Sequence, residues 1–332
     1  MRENSILSLQ EHEQERRTHM ESLTRYFRSL AGVGILGMSL LVPVWGNPPA
    51  DDKQTRGWVK EFFRHEALPE AQMQELLALA AAKPHLIWKK GTSLEKANNA
   101  HTTNTFQELA EALQGEYNWL ECDVNLEGGL KVLPLLSQHR PICAHSPLQT
   151  NGLLFEEWLR VGAASGRGLK IDFKTTSPLK PILALLKKYQ VPDHRILFNL
   201  SVGITKNIPL QGGLGRQITL FAKKKHLKLI REAFPEAMIN LGLLTPGSKV
   251  PTSYRKGHTD LLILFAQAVG KPVMFPLRAE YVTPEVISSL QPHGLVAIWN
   301  DPATFVPDNV EQLIKKLRSW GVGGMIDLRQ QH

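Results

Sequence analysis

Cysteine is almost missing from this chain. Only Cys122 and Cys143 occur in 332 residues. Two cysteines cannot staple a disulfide scaffold, and no Cys/His set has metal-ligand spacing, which argues against a structural zinc module. A single bridge is not expected either: Cys122 lies between Glu121 and Asp123 and should face away from them on a strand. Aromatic residues make up only 7% of the chain. None interleaves with the sharpest basic run, Lys223 to Lys228, as a platform for single-stranded nucleic acid requires. That run reads as a solvated helix face, and no nucleic-acid partner is expected. Internal repeats and low-complexity segments are also missing. The uncharged apolar run from Leu30 to Trp45 is short for a membrane span.

That same run follows Arg25 and Arg28 and precedes small and turn residues, as the core of a signal peptide does. The polar 19 residues before Met20 would make an unusually long leading region, so Met20 is an alternative start. No cysteine follows the run, which argues against a bacterial lipoprotein. Residues 1–50 are therefore expected to be a signal peptide or an N-terminal membrane anchor, with possible membrane association through the apolar segment. Either way the folded part should lie outside the cytoplasm. Residues 51–96 read as a helical lead-in, because Gly57 to Ala82 includes "EAQMQELLALAAA", rich in strong helix formers.

The chain as a whole carries 42% apolar residues, enough for one large core, and a formal net charge of +8 that is compatible with anionic substrates or surfaces. From residue 97 to 330, short apolar runs alternate with helix-like segments, the pattern of βα units on a parallel sheet. A short strand ending at His101 precedes "NWLECDV", "GLKIDF", "RILFNLSV", "AMINLGLL", "KPVMFPLRA", "GLVAIWN" and "GGMIDL". These are eight strands, the number that closes a (β/α)8 TIM barrel. "PICAH" follows its neighbour without a helix and reads as an added hairpin strand. Helices are expected at "NTFQELAEAL", "LLFEEWLRVGAA", "LKPILALLKKY", "HLKLIREAF", "HTDLLILFAQAV" and "NVEQLIKKLRSW". Oligomeric state leaves no mark in the sequence.

Alternation along a barrel strand sends every second side chain into the lumen. In "LKIDFK" that parity turns Leu169, Ile171 and Phe173 to the helices and Lys170, Asp172 and Lys174 inward. In "WLECDV" it turns Glu121 and Asp123 inward. Buried charges are costly unless paired or bound to a metal. Two readings follow: an internal salt-bridge network, or a Mg²⁺ or Ca²⁺ site built from Glu121, Asp123 and Asp172. His101 and His145 end their strands beside these carboxylates and suit general acid/base chemistry. A phosphodiester fits that set, with a cation and a lysine on the phosphoryl oxygens. Further candidates for substrate contact are Lys170, Lys174, Asn104, Asn199, Arg278 and Trp299; Asn104 could instead cap the helix that follows.

The ordered set His101, Glu121-Cys122-Asp123, His145, Asp172-Phe173-Lys174, "IWN" and "GVGGMID" resembles the glycerophosphodiester phosphodiesterases of the phospholipase-C-like barrel superfamily. Two positions depart from that pattern. The third acid is Asp172 where those enzymes have Glu, and Thr102 stands where an Arg usually follows the first His. A closer resemblance is to the menorin family, in "HTTNT", "ECDV", "PICAHSP…FEEWL", "KIDFK", "AFPEAMINLG" and "KPVMFPLRA", with Leu243 where Trp is expected. That resemblance covers roughly residues 97–328 and implies the barrel. It also implies a metal-dependent hydrolase acting on a glycerophosphodiester or lysophospholipid-like headgroup. The alternative is a non-catalytic binding or interaction module on the same barrel.

Overall fold

The computed structural model describes residues 65–127, 140–146, 149, 151–203, 222–243 and 253–329. The apolar run from Leu30 to Trp45, and the expected start of the lead-in helix at Gly57, lie outside them. No helix among the described residues is long and apolar enough to cross a membrane.

Eight parallel strands form a nearly closed barrel. In order around it they are β1 (Asn99–Ala100), β2 (Trp119–Leu126), β4 (Gly168–Phe173), β5 (Ile196–Val202), β6 (Met238–Leu243), β7 (Val273–Arg278), β8 (Leu295–Trp299) and β9 (Ile326–Asp327). The added strand β3 (Pro141–Cys143) pairs antiparallel with β2, as its position without an intervening helix suggested. No ladder joins β9 to β1. Instead the Asn99 amide, on β1, donates to Asp327 on β9 at 3.1 Å and to Glu121 on β2 at 2.6 Å.

Helices α1 (Glu70–Ala81), α2 (Phe106–Gln114), α3 (Phe155–Ser165), α4 (Leu179–Lys188), α5 (Lys224–Ala233), α6 (Lys256–Val269), α7 (Pro284–Leu290) and α8 (Val310–Ser319) surround the sheet. The lead-in departs from expectation. Residues 65–69 are not helical, and α1 starts only after Pro69, which stands at its N-cap. The expected helix from Asn104 starts two residues later, because Thr105 and Glu108 make a capping box there. Helix α7 was not expected at all. Its signal is Thr283-Pro284-Glu285, an N-cap threonine, a proline in the first turn and an early acid. With seven residues it is too short for its apolar period to stand out.

Strand parity divides the core in two. Leu120, Cys122, Val124, Leu169, Ile171 and Phe173 pack under the helices. Trp119, Leu197, Met274, Ala297 and Met325 share the other parity and fill the lower lumen, where Trp88 and Leu94 of the lead-in close it. The rings of Trp88 and Trp119 meet edge to face at 5.2 Å. Gly168 makes room for this plug, since a Cβ there would lie 2.2 Å from the Trp119 ring. We expect Gly168→Ala to destabilise the fold by roughly 1–3 kcal/mol through overpacking, read as a lower urea midpoint.

Arginines tie down the lower face. Arg167 donates to the Ala112 and Leu113 carbonyls at the end of α2. Arg195 does the same for Gly162 and Ala163 of α3, and Arg231 reaches the Val269 and Gly270 carbonyls at the end of α6. Part of the chain's positive charge is thus consumed by carbonyls that helix ends leave unpaired.

Candidate functional site

Above the apolar plug the inward positions become polar. Register aligns Glu121 with Lys170 and Asp123 with Asp172 across β2 and β4, then Asp172 with Asn199 on β5 and Asn199 with Asn240 on β6. Carboxylate oxygens of Glu121, Asp123 and Asp172 lie within 4.8 Å of one another.

Glu121 is buried and one of its oxygens takes three donors. Its Oε2 accepts from Asn99 Nδ2 at 2.6 Å, His101 Nδ1 at 2.9 Å and Lys170 Nζ at 2.8 Å. No hydrogen bond among the described residues reaches its Oε1. Asp123 is held on both sides. Its Oδ2 accepts from Asn104 Nδ2 at 3.0 Å and pairs with His145 Nδ1 at 3.2 Å, while Lys174 Nζ lies 2.8 Å from Oδ1. Lys174 also reaches Asp172 Oδ2 at 2.6 Å, and Asn199 Nδ2 donates to Asp172 Oδ1 at 2.8 Å. Asn240 in turn donates to Asn199 Oδ1 at 2.7 Å.

The turn after β1 fixes His101. Thr103 donates to the Glu121 carbonyl through both N (2.7 Å) and Oγ1 (2.8 Å), and Trp158 Nε1 donates to Thr103 Oγ1 at 2.8 Å. Thr102, between them, sits at φ 60°, a left-handed conformation rare for a β-branched residue. Asn104 does not cap α2; Thr105 does. The Asn104 side chain instead grips Asp123, accepting from its backbone N at 2.8 Å and donating to its carboxylate.

Electrostatics separate the three acids. Burial pushes Glu121 up, but Lys170 and His101 outweigh it and hold the carboxyl well below the usual range. Burial opposes ionisation of Asp123 as well, and the His145 hydrogen bond with the Lys174 charge overcomes it, again to well below the range. Asp172 goes the other way: burial, helped by the Asp123 and Glu121 charges against Lys174, raises it. His101 is raised, because Glu121 outweighs the effect of burial.

Acid should therefore unfold the protein readily. Glu121 and Asp123 have folded-state pKa values below their unfolded ones, so their stabilisation is complete above about pH 4 and is lost as pH falls toward the folded values. Asp172 acts in the opposite sense, favouring the fold in its protonated form and losing that contribution as pH rises through its raised pKa. Two depressed acids against one raised acid give a net loss of stability below about pH 4. Urea unfolding from neutral to acid pH checks this.

Two groups of side chains could hold a cation: Glu121 with Asp123 and Asp172, and Glu121 with His101 and Asp327. A lysine reaches into each: Lys174 lies 2.8 Å from Asp123 and 2.6 Å from Asp172 in the first, and Lys170 lies 2.8 Å from Glu121 and 3.9 Å from Asp327 in the second. The first offers only oxygens, the donors a hard divalent cation prefers. Across both, four carboxylates face two lysines, a negative excess that such a cation balances. The residues present therefore fit Mg²⁺ or Ca²⁺.

Of the residues singled out in the sequence, His101, Glu121, Asp123, His145, Lys170, Asp172, Lys174, Asn104 and Asn199 form one connected set. Arg278 and Trp299 stand apart from it. The Arg278 guanidinium bonds to Glu280 and Thr304 and stacks 5.0 Å over the Trp299 ring. No side-chain hydrogen bond or ion pair among the described residues joins that pair to the network carboxylates, although Trp299 is the register neighbour of Asp327 across β8 and β9. Asn300, in "IWN", is structural, donating to the Phe305 and Arg329 carbonyls. Three residues of the network were not among the sequence candidates. Asn99 shares a strand face with His101, Asp327 ends "GVGGMID", and Asn240 repeats the inward parity of Asn199 one strand on.

A family model described as the Menorin N-terminal domain matches residues 93–291. Among curated proteins, human Protein FAM151B is 29% identical over 185 residues, which are 55% of this chain and 62% of that protein. The chain thus spans less than two thirds of the relative's length. The family match takes in β1 to α7, with every carboxylate of the network except Asp327, and the chain belongs to the menorin family.

Proposed function

We propose that the protein is a divalent-cation-dependent phosphodiester hydrolase acting on a glycerophosphodiester or lysophospholipid-like substrate. One observation carries this reading. Three inward carboxylates converge within 4.8 Å, and a histidine is hydrogen-bonded through Nδ1 to each of the two on β2. Engaging Nδ1 leaves Nε2 of both His101 and His145 without a partner among the described residues. Two imidazole nitrogens beside one carboxylate cluster suit an in-line displacement, one taking a proton and the other giving one.

In this reading Glu121, Asp123 and Asp172 hold the ion, Mg²⁺ or Ca²⁺. When bound, it supplies charge neutralisation at the phosphoryl oxygens. Glu121 favours the protonated form of His101, which suits the acid that protonates the leaving oxygen. His145, with its side chain 75% exposed, takes the proton of the attacking water as His101 protonates the leaving alkoxide. Lys174, between Asp123 and Asp172, adds a fixed positive charge for the phosphate. Asn104 and Asn199 orient the carboxylates they bond. Lys170 holds Glu121 from below. Arg278 and Trp299 would meet a substrate on the Asp327 side of the mouth. The arginine pair before the Leu30 to Trp45 run supports an extracytoplasmic site, secreted or membrane-anchored.

The test is hydrolysis of a panel of glycerophosphodiesters and lysophospholipids with Mg²⁺, with Ca²⁺ and with chelator. Cation-dependent turnover lost in His101→Ala is expected. A cation that stabilises the fold with no hydrolysis of any diester would favour the non-catalytic binding module instead.

A further inference from the structure

The basic run that sequence alone reads as a solvated helix face acquires a neighbour in the fold. Helix α5 begins at Lys224 and packs on α6, which begins at Lys256. Both helices start on the mouth side of the barrel. Ala222 N donates to the Ser201 carbonyl near the end of β5 at 2.8 Å, and Tyr254 Oη accepts from the backbone N of Arg278, the last residue of β7, at 2.8 Å. Lys223, Lys224, Lys225 and Arg255 are exposed there, and no carboxylate among the described residues pairs with any of them. The sequence contains no Asp or Glu from residue 194 to 231, or from 237 to 259.

Helix chemistry does nothing to offset this charge. Neither α5 nor α6 has an acid in its first turn, although the macrodipole favours one. In α2 and α3 the capping position is acidic: Glu108 accepts from Thr105 N, and Glu157 from Leu154 N. In α5 and α6 a histidine does that work, His226 Nδ1 accepting from Lys223 N at 3.2 Å and His258 Nδ1 from Arg255 N at 3.3 Å. The cap is kept and its negative charge is removed. The lower-face arginines are occupied by carbonyls, whereas no acidic partner of these rim cations is found among the described residues.

We propose that the starts of α5 and α6 form a basic rim that docks the barrel mouth on a bilayer surface rich in anionic lipid. Juxtaposed lysines are point charges suited to a diffuse anionic surface. A single-stranded nucleic acid would need stacking platforms, and among the described residues the two starts carry no Phe or Trp and only one Tyr, Tyr254, whose hydroxyl is bonded to the Arg278 backbone. Docking in this orientation turns the polar lumen toward the lipid headgroups.

The experiment uses the full chain with chelator present, so that neither turnover nor a bound cation enters the readout and the hydrolase reading is tested separately. Binding is measured to vesicles of phosphatidylcholine alone and of phosphatidylcholine mixed with phosphatidylserine, at low and high salt. A preference of about tenfold or more for the phosphatidylserine vesicles, weakened by salt, is expected. The triple variant Lys223→Glu, Lys224→Glu, Lys225→Glu should lose it while its Tm stays or rises, since acids suit a helix start. If that variant does not fold, Arg255→Glu alone should reduce the preference. Equal binding to both vesicles, a preference that survives the substitutions, or tighter binding to polyuridylate than to phosphatidylserine vesicles would overturn the proposal.

Discussion

Replacing Glu121 by alanine is expected to destabilise the protein by about 3–5 kcal/mol, the cost of removing one partner of a buried ion pair. Its carboxylate is 1% exposed and gathers Asn99, His101 and Lys170 on one oxygen. Without it the Lys170 ammonium keeps only Asp327, at 3.9 Å. The Asn99 link that spans the β9–β1 gap through Asp327 also loses its stronger anchor. Glu121→Gln preserves shape and one acceptor and should cost less than alanine. Urea unfolding reads both. An alanine variant within about 0.5 kcal/mol of wild type, as for an ordinary surface substitution, would remove Glu121 from the centre of the network.

His101→Ala is expected to reduce hydrolysis by about 10²–10⁴-fold, the usual contribution of a positioned acid or base. The fold should survive, because the imidazole is 30% exposed and Asn99 and Lys170 still satisfy Glu121. His145→Ala should fall by a similar factor. The double variant should fall by less than the product, since the two groups serve one displacement. Retention of more than half the activity in either single variant would contradict its acid/base assignment.

Much of the barrel is legible in the chain because the parity of "WLECDV" and "LKIDFK" is unambiguous. A strand with apolar residues at 120, 122 and 124 can only turn 121 and 123 the other way. The same rule foretells the convergence of acids on β2 and β4, since neighbouring parallel strands keep register. What parity does not supply is the partner. That Asn104 grips Asp123, while Thr105 caps α2, depends on how tightly the β1 turn folds back on β2. Arg278 reads in sequence either as a phosphate contact or as one arm of a rim salt bridge; its neighbour Glu280, two residues on, supplies the salt bridge, and Thr304 joins it from a loop that only the fold brings near. Helix α7 escapes notice because seven residues hold too few turns to show a period. Asn99 and Asp327 gain their significance from the unpaired seam, which no local pattern announces.

The most direct test compares the thermal stability of wild type and Asp172→Asn with chelator and with Ca²⁺ or Mg²⁺. Burial and the neighbouring acids raise the Asp172 carboxyl despite the Lys174 ammonium beside it, so a further cation would favour its charged form. Asp172→Asn should therefore melt at or above the wild-type temperature in chelator. A saturable rise in Tm with added cation should appear in wild type and be lost or strongly reduced in the variant. No rise in wild type, or the same rise in both proteins, would contradict a cation site on Glu121, Asp123 and Asp172.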